Sequence, residues 1–198
     1  MSTLFWEFLK HPARVGACCP SSRTLCREIT SSIGLEKADM IAELGPGTGV
    51  ITEAIRRKLK PGARFAAVEL DEKLASGIEA RFADVTVIRG CASQLEEMLS
   101  SRSLPRADVV ISGLPFAIFP DELQEKILRG VVRSLAPGGV FATFTYVQGR
   151  ILPAGIRFRR KLESALPEVT TSPIVWSNMP PAFIYRCRTE NSGNKEER

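Results

Sequence analysis

The chain has 198 residues and a mass of 21.7 kDa, a size that suits one domain with a substantial core rather than two small independent ones. Hydrophobic residues make up 44% and charged residues 25%, close to globular averages, which excludes a disordered, fibrous or disulfide-stapled chain. Lys and Arg outnumber Asp and Glu by 27 to 22, and the net charge of +5 tilts the choice of partner towards anionic surfaces.

Cys18, Cys19, Cys26, Cys91 and Cys187 are odd in number and form no Cys-x-x-Cys pair, so neither a disulfide framework nor a metal site is expected, and a reducing cytoplasm is the expected compartment. Met1 to Lys10 lacks the basic start, long apolar core and cleavage site of a secretory signal. No stretch holds about 18 uninterrupted apolar residues, so no membrane span is expected either.

Residues 1–34 read as a helical extension. Beyond them short apolar runs alternate with amphipathic stretches, the signature of βαβ units and a parallel sheet. Ala38 to Leu44 is the first expected strand, Val50 to Leu59 a helix, and Pro61-Gly62 the turn into a second strand, Arg64 to Leu70. Glu72 to Arg81 reads as a helix, Val85 to Ile88 as a third strand, Ser93 to Leu99 as a helix, and Ala107 to Ser112 as a fourth strand ending at Gly113-Leu114-Pro115. Asp121 opens a helix that runs to about Leu135 and stops at Pro137-Gly138-Gly139, where the β-rich run Val140 to Val147 begins. Gly155 to Leu166 is a basic helix, and Val169 to Trp176 pairs with Ala182 to Cys187 as a closing antiparallel hairpin. The expected fold is α/β: one doubly wound, Rossmann-like domain over residues 1–190, with about seven strands and a disordered polar tail at 191–198.

Glu43-Leu44-Gly45-Pro46-Gly47-Thr48-Gly49 follows an apolar strand and opens a helix, a context that lifts a glycine-rich string above a chance match. Gly45, Gly47 and Gly49 permit a tight turn and close approach of backbone to ligand, while Glu43 accepts hydrogen bonds or offsets a nearby cation. An acid at the mouth would repel a pyrophosphate, so a cationic sulfonium ligand is the better fit. Glu69 falls at the carboxyl end of the second strand, about 20 residues on, where an acidic side chain can take both ribose hydroxyls in this class of fold. Taken singly, Glu43 could be a capping residue and Glu69 a solvated strand end. Their joint spacing favours two carboxylates framing one nucleoside.

These residues resemble the first motif of the class I S-adenosylmethionine-dependent methyltransferases, and Glu69 is similar to that family's ribose-binding acid. The likeness extends over nearly the whole chain. It implies S-adenosylmethionine as cofactor, held by Glu43, Gly45, Gly47, Gly49, Glu69, the adjoining Leu70 and, at the end of the fourth strand, Ser112. The family usually places an Asp after the third strand to hold the adenine amino group, but the matching string here is Gly90-Cys91-Ala92. The adenine contact then falls to backbone or to Cys91 and Ala92; otherwise Cys91 is a small buried hydrophobe.

Three further strings resemble the bacterial phospholipid N-methyltransferases: Pro12 to Ser22, Ser112 to Phe116 (Ser-Gly-Leu-Pro-Phe), and Asn178 to Tyr185 (Asn-Met-Pro-Pro-Ala-Phe-Ile-Tyr). The resemblance implies that Val15 to Ser22 closes over the cofactor, with Gly16 and Ser21 as contacts. The ribosomal RNA adenine dimethyltransferases are similar through the first motif, but their fourth strand ends in Asn-Leu-Pro-Tyr. An adenine N6 enzyme needs that Asn oxygen to hold the amino group, and Gly113 cannot supply it. Those enzymes also append a helical RNA-binding domain, whereas only a short hairpin and tail follow residue 167 here, so a nucleic-acid partner is not favoured.

Two segments suit a membrane surface. Leu4, Phe5, Trp6, Phe8 and Leu9 precede Lys10, His11 and Arg14, and Arg150, Arg157, Arg159, Arg160 and Lys161 surround Leu152, Ile156 and Phe158. Basic side chains gain about 1 kcal/mol each near an anionic bilayer. Either segment could also be an ordinary packed or solvated face, and the family resemblance favours a peripheral enzyme on the inner face of the cell membrane. The expected substrate is a lipid amine such as that of phosphatidylethanolamine. Ser112, at the carboxyl edge of a central strand, and Tyr146, at the end of the fifth, are the candidate catalytic residues. Tyr146 would orient the amine, or else cap the core. An RNA or small-molecule methyltransferase and a non-catalytic cofactor-binding protein are the competing classes.

Overall fold

The structure, a computed structural model, describes residues 22–191. It opens with helix α1 (Arg23–Ile29), where the hydroxyl of Ser22 accepts the Leu25 amide at 3.1 Å, satisfying one of the free donors of the first turn. The strands are β1 (Met40–Leu44), β2 (Arg64–Glu69), β3 (Thr86–Arg89), β4 (Ala107–Ser112), β5 (Leu135–Tyr146), β6 (Glu168–Thr171) and β7 (Ala182–Arg188). They form one sheet in the order β3-β2-β1-β4-β5-β7-β6. The first five are parallel, and β7 runs antiparallel to both β5 and β6. The connecting helices are α2 (Val50–Arg56), α3 (Glu72–Arg81), α4 (Leu95–Ser100), α5 (Asp121–Ser134) and α6 (Pro153–Ala165).

All of β1 is buried, as a central strand of a parallel sheet covered on both faces should be. Alternate residues feed two cores. One face packs against Leu25 and Ile29 of α1, Ile51 and Ile55 of α2, and Ile78 of α3. The other packs against Leu95 and Leu99 of α4, Ile127 and Val131 of α5, and Phe158 and Leu162 of α6. The doubly wound α/β sheet is therefore the expected one, and helix α3 and strand β4 match their expected limits residue for residue.

Several boundaries differ, and for two of them the reason is identifiable. The hairpin strand β6 stops at Thr171 because Pro173 has no N–H with which to continue the ladder. Ser172 closes it instead, donating its amide to Ile184 O at 2.9 Å and accepting the Ile184 amide on its hydroxyl at 3.0 Å. Only the isolated Val175–Ala182 bridge remains beyond that point, and Trp176 stands outside the strand, 70% exposed. Strand β5 starts at Leu135, paired with Ala107, and a register shift before the Val109–Val140 pair absorbs Pro137-Gly138-Gly139 into the strand. A 3₁₀ turn, Ala92–Gln94, precedes α4, and α2 ends at Arg56 rather than Leu59. Most of the expected N-terminal extension and of the tail lies outside the described residues.

Candidate active site at the carboxyl edge

The carboxyl ends of β2, β1 and β4 lie side by side, with Leu44 opposite both Val68 and Ser112. The glycine loop leaves β1 between its neighbours: the Gly45 amide donates to Val68 O and the Gly113 amide to Leu44 O, each at 2.9 Å. Gly45, Gly47 and Gly49 take φ of 67°, 55° and 82°, values that L side chains rarely adopt. Gly49 caps α2. At Gly47 the amide donates to Glu69 Oε2 at 3.1 Å, while the space a Cβ would fill has no heavy atom of the described residues within 4 Å. One side of the loop is thus tied to an acid and the other is open.

Glu69 holds this corner. Its Oε1 accepts the amides of Leu70 at 2.8 Å and Asp71 at 3.0 Å, so Leu70 enters the site through its backbone. The Gly90 amide donates to Glu69 O at 2.9 Å, bringing Cys91 and Ala92 alongside. Ala92 is buried, and the half-buried Cys91 thiol accepts from the Ser93 hydroxyl at 3.2 Å.

Glu43 lies under the loop with 0% exposure. The Thr52 hydroxyl donates to its Oε2 at 2.7 Å, whereas Oε1 meets no donor among the described residues. Burial pushes its pKa up to about 8; Thr52 opposes the rise and Glu69 adds to it. Burial, and secondarily Glu43 itself, likewise pushes the neighbouring Cys26 thiol up to about 11. A buried carboxyl with an unmatched oxygen is costly as a structural device. It fits a cationic ligand, as Glu69 fits a ribose and the open side of Gly47 fits close approach of a nucleoside. Together these residues fit S-adenosylmethionine.

The two candidate catalytic residues do not converge. Ser112 has 0% exposure; its hydroxyl accepts the Leu114 amide at 3.2 Å and its carbonyl accepts from Thr143 Oγ1 at 3.2 Å. It shapes the turn after β4. Tyr146 lies on the opposite sheet face, packed with the α1 and α2 core, its ring 5.8 Å from that of Phe144. Gly113 is a glycine for a packing reason, since a Cβ there would meet the Gly45 carbonyl oxygen at 2.7 Å.

One positioning residue escaped the sequence reading. Asn178, 4% exposed, accepts the Ser22 amide on Oδ1 at 3.0 Å and donates from Nδ2 to Pro180 O at 2.7 Å. The Val147 amide donates to Pro181 O at 2.9 Å, tying the same segment to the end of β5. Two of the three strings therefore meet at this edge. Their likeness to a family was visible in sequence, but no spacing marked a contact across 156 residues. Of the segment Val15 to Ser22 only Ser22 is described; Gly16 and Ser21 lie outside.

A family model described as a methyltransferase domain matches residues 41–139, from β1 into β5. The chain is also similar to the ornithine lipid N-methyltransferase of Singulisphaera acidiphila, 36% identical over 187 residues and 92% of each chain. The chain belongs to the S-adenosylmethionine-dependent methyltransferases. This methyltransferase is 28% identical over 121 residues to the ribosomal RNA small subunit methyltransferase A of Thermotoga petrophila, a match covering 61% of the chain and 44% of that enzyme. Its fold is that of the O-methyltransferase from Bacillus cereus solved with S-adenosylhomocysteine, with a TM-score of 0.69, 18% identity, and coverage of 96% of this chain and 92% of that one. The methyltransferase uses S-adenosylmethionine, which supplies an electrophilic methyl group on a sulfonium.

Proposed function

We propose that this methyltransferase acts on the amine headgroup of a membrane lipid, such as phosphatidylethanolamine or an ornithine lipid, from the inner face of the cell membrane. The observation that carries this reading is the likeness to the Singulisphaera enzyme across 92% of both chains. The surface supports it. Ile118, Ile151, Leu152 and Ile156 are all exposed, on the turns that follow β4 and β5 and on the first turn of α6, and α6 packs against both of those turns. Exposed Trp176 and Met179 flank Asn178. Single exposed apolar residues mean little, but several around the edge that holds the site suit shallow insertion into a bilayer.

The basic residues nearby are not a bare patch. Arg157 and Lys161 each pair with Asp121 at 3.0 Å, and Arg159 pairs with Glu163 at 2.8 Å. Exposed pairs of this kind contribute about 0–1 kcal/mol. An anionic surface offers a comparable ~1 kcal/mol per basic residue, so headgroups can compete for these side chains, and apolar insertion supplies the rest. Among the described residues no helix is long and apolar enough to cross a membrane.

In the proposed reaction the uncharged amine forms an N–CH₃ bond as the S–CH₃ bond breaks with its electron pair left on sulfur, and the nitrogen then loses a proton to solvent. Glu43, Glu69 and the loop glycines would hold the donor, with Leu70, Cys91 and Ala92 beside it. Ser112 fixes the turn beside the donor, whereas Tyr146 packs with the α1 and α2 core, the core-capping role that the sequence also allowed. Alignment and exclusion of water can account for several kcal/mol of barrier lowering without a strong base. An RNA substrate is the second reading, favoured by the Thermotoga likeness and opposed by Gly113. Incubation with labelled S-adenosylmethionine and total bacterial lipid or RNA decides between them: label in the lipid fraction supports the proposal, and label confined to RNA overturns it.

A further inference from the structure

The most unusual group in the site is Glu43. Its carboxyl has 0% exposure, one oxygen is engaged by Thr52, and the other meets no donor among the described residues. Among the described residues, the groups that face it come from three adjoining elements. Helix α2 supplies the Thr52 hydroxyl, α1 supplies the Cys26 thiol, and β2 supplies the Glu69 carboxylate. Its register partners on β2 and β4 are Ala67 and Ile111. Both titratable neighbours are acids, and no Lys, Arg or His among the described residues pairs with it. A carboxylate there carries an uncompensated charge in the interior, where the neutral acid is the cheaper species until a cation arrives.

We infer that Glu43 is a proton-exchange site for the cofactor: the free enzyme holds it as a neutral acid, and binding of S-adenosylmethionine expels that proton to solvent and leaves the carboxylate as counter-ion to the bound cation. The exchange conserves charge within the site, one proton leaving as one cationic ligand enters. It makes cofactor affinity rise with pH up to about 8, where burial places the Glu43 equilibrium in the free protein. It also favours the sulfonium donor over its thioether product, which carries one positive charge fewer.

Calorimetric titration with S-adenosylmethionine in buffers of different ionisation enthalpy counts the protons released. The cofactor's own amine titrates in a similar range, at about 7.7–8.0 for an ordinary α-amine, so the informative quantity is the difference between parent and Glu43→Gln. The expected difference near pH 7 is close to one proton per cofactor, fading above about pH 8 as the free enzyme loses the proton unaided. Equal counts in the two proteins overturn the inference. Difference infrared spectra of the parent give a reading that needs no variant. The carbonyl band of a protonated carboxyl should vanish when S-adenosylmethionine is added and persist when the uncharged 5′-methylthioadenosine is added. Persistence with the former, or loss with both, overturns the exchange. Binding without Glu43-dependent proton release leaves the cofactor assignment standing and removes only this inference, whereas absence of any binding heat removes the assignment itself.

Discussion

Gly47 and Glu69 share one hydrogen bond, and each reports on the ligand side of the loop. A valine at 47 would project into open space beside the loop at a φ of 55°, and alanine at 69 removes the acceptor that holds the amides of Gly47, Leu70 and Asp71. Gly47→Val and Glu69→Ala are each expected to lower S-adenosylmethionine affinity at least tenfold, about 1.4 kcal/mol, as read by calorimetry on folded protein. Unchanged affinity in both removes these residues from the site. Glu43 gives a pH prediction. Its ordinary pKa of 4.5 is raised to about 8 in the fold, burial being the main cause, so between those values the folded chain keeps a proton that the unfolded chain releases. Stability contributed by this group is full below the lower value, falls as pH climbs, and levels off above the upper one. Urea melts of the cofactor-free protein at a series of pH values should show that decline, and Glu43→Gln should flatten it; parallel profiles would count against a buried neutral acid. The positions of Glu43 and Glu69 were legible because strand ends and loop spacing are local properties of a sequence. The burial of Glu43 was not, because it depends on Cys26 and Thr52 arriving from two other elements.

Elements whose ends carry their own signals were read most closely. Helix α3 begins where Asp71 accepts the Lys73 and Leu74 amides on its side chain, at 2.8 and 3.0 Å, a capping pattern visible in sequence. Strand β4 ends at Ser112, where Gly113-Leu114-Pro115 turns the chain. The β-branched and aromatic residues of 169–176 favour a longer hairpin strand than the one observed, because Pro173 has no N–H with which to continue the ladder. The turn that follows matters more than a longer strand would, since it carries Asn178 to Ser22. Asn178→Ala leaves the Ser22 amide and the Pro180 carbonyl without their partner, and a buried group so orphaned costs about 1–3 kcal/mol. Chemical denaturation should register that loss, and a stability equal to the parent's would show that the side chain anchors nothing.

For the whole molecule the alternation of apolar runs with amphipathic stretches indicates an α/β fold, and the doubly wound sheet agrees. What composition could not show is how the charges are spent: Arg157 and Lys161 meet Asp121 from 36 and 40 residues away, a pairing set by the packing of α6 on α5. The net charge of +5 still favours anionic vesicles over zwitterionic ones, more so at low salt. Replacing Arg157, Arg159 and Arg160 with Gln should weaken vesicle binding in sedimentation by roughly ten- to a hundredfold, given ~1 kcal/mol per basic residue as an upper bound, while leaving cofactor affinity in solution unchanged. Equal sedimentation of parent and variant would make α6 an ordinary solvated face.

The most direct measurement is the mass of the lipid itself. Vesicles containing phosphatidylethanolamine or an ornithine lipid, incubated with the enzyme and S-adenosylmethionine, should yield headgroups heavier by one or more methyl substitutions, with the increment abolished in Glu69→Ala. Unchanged lipid masses alongside methylated adenine in RNA offered to the same enzyme would contradict a lipid amine as the substrate.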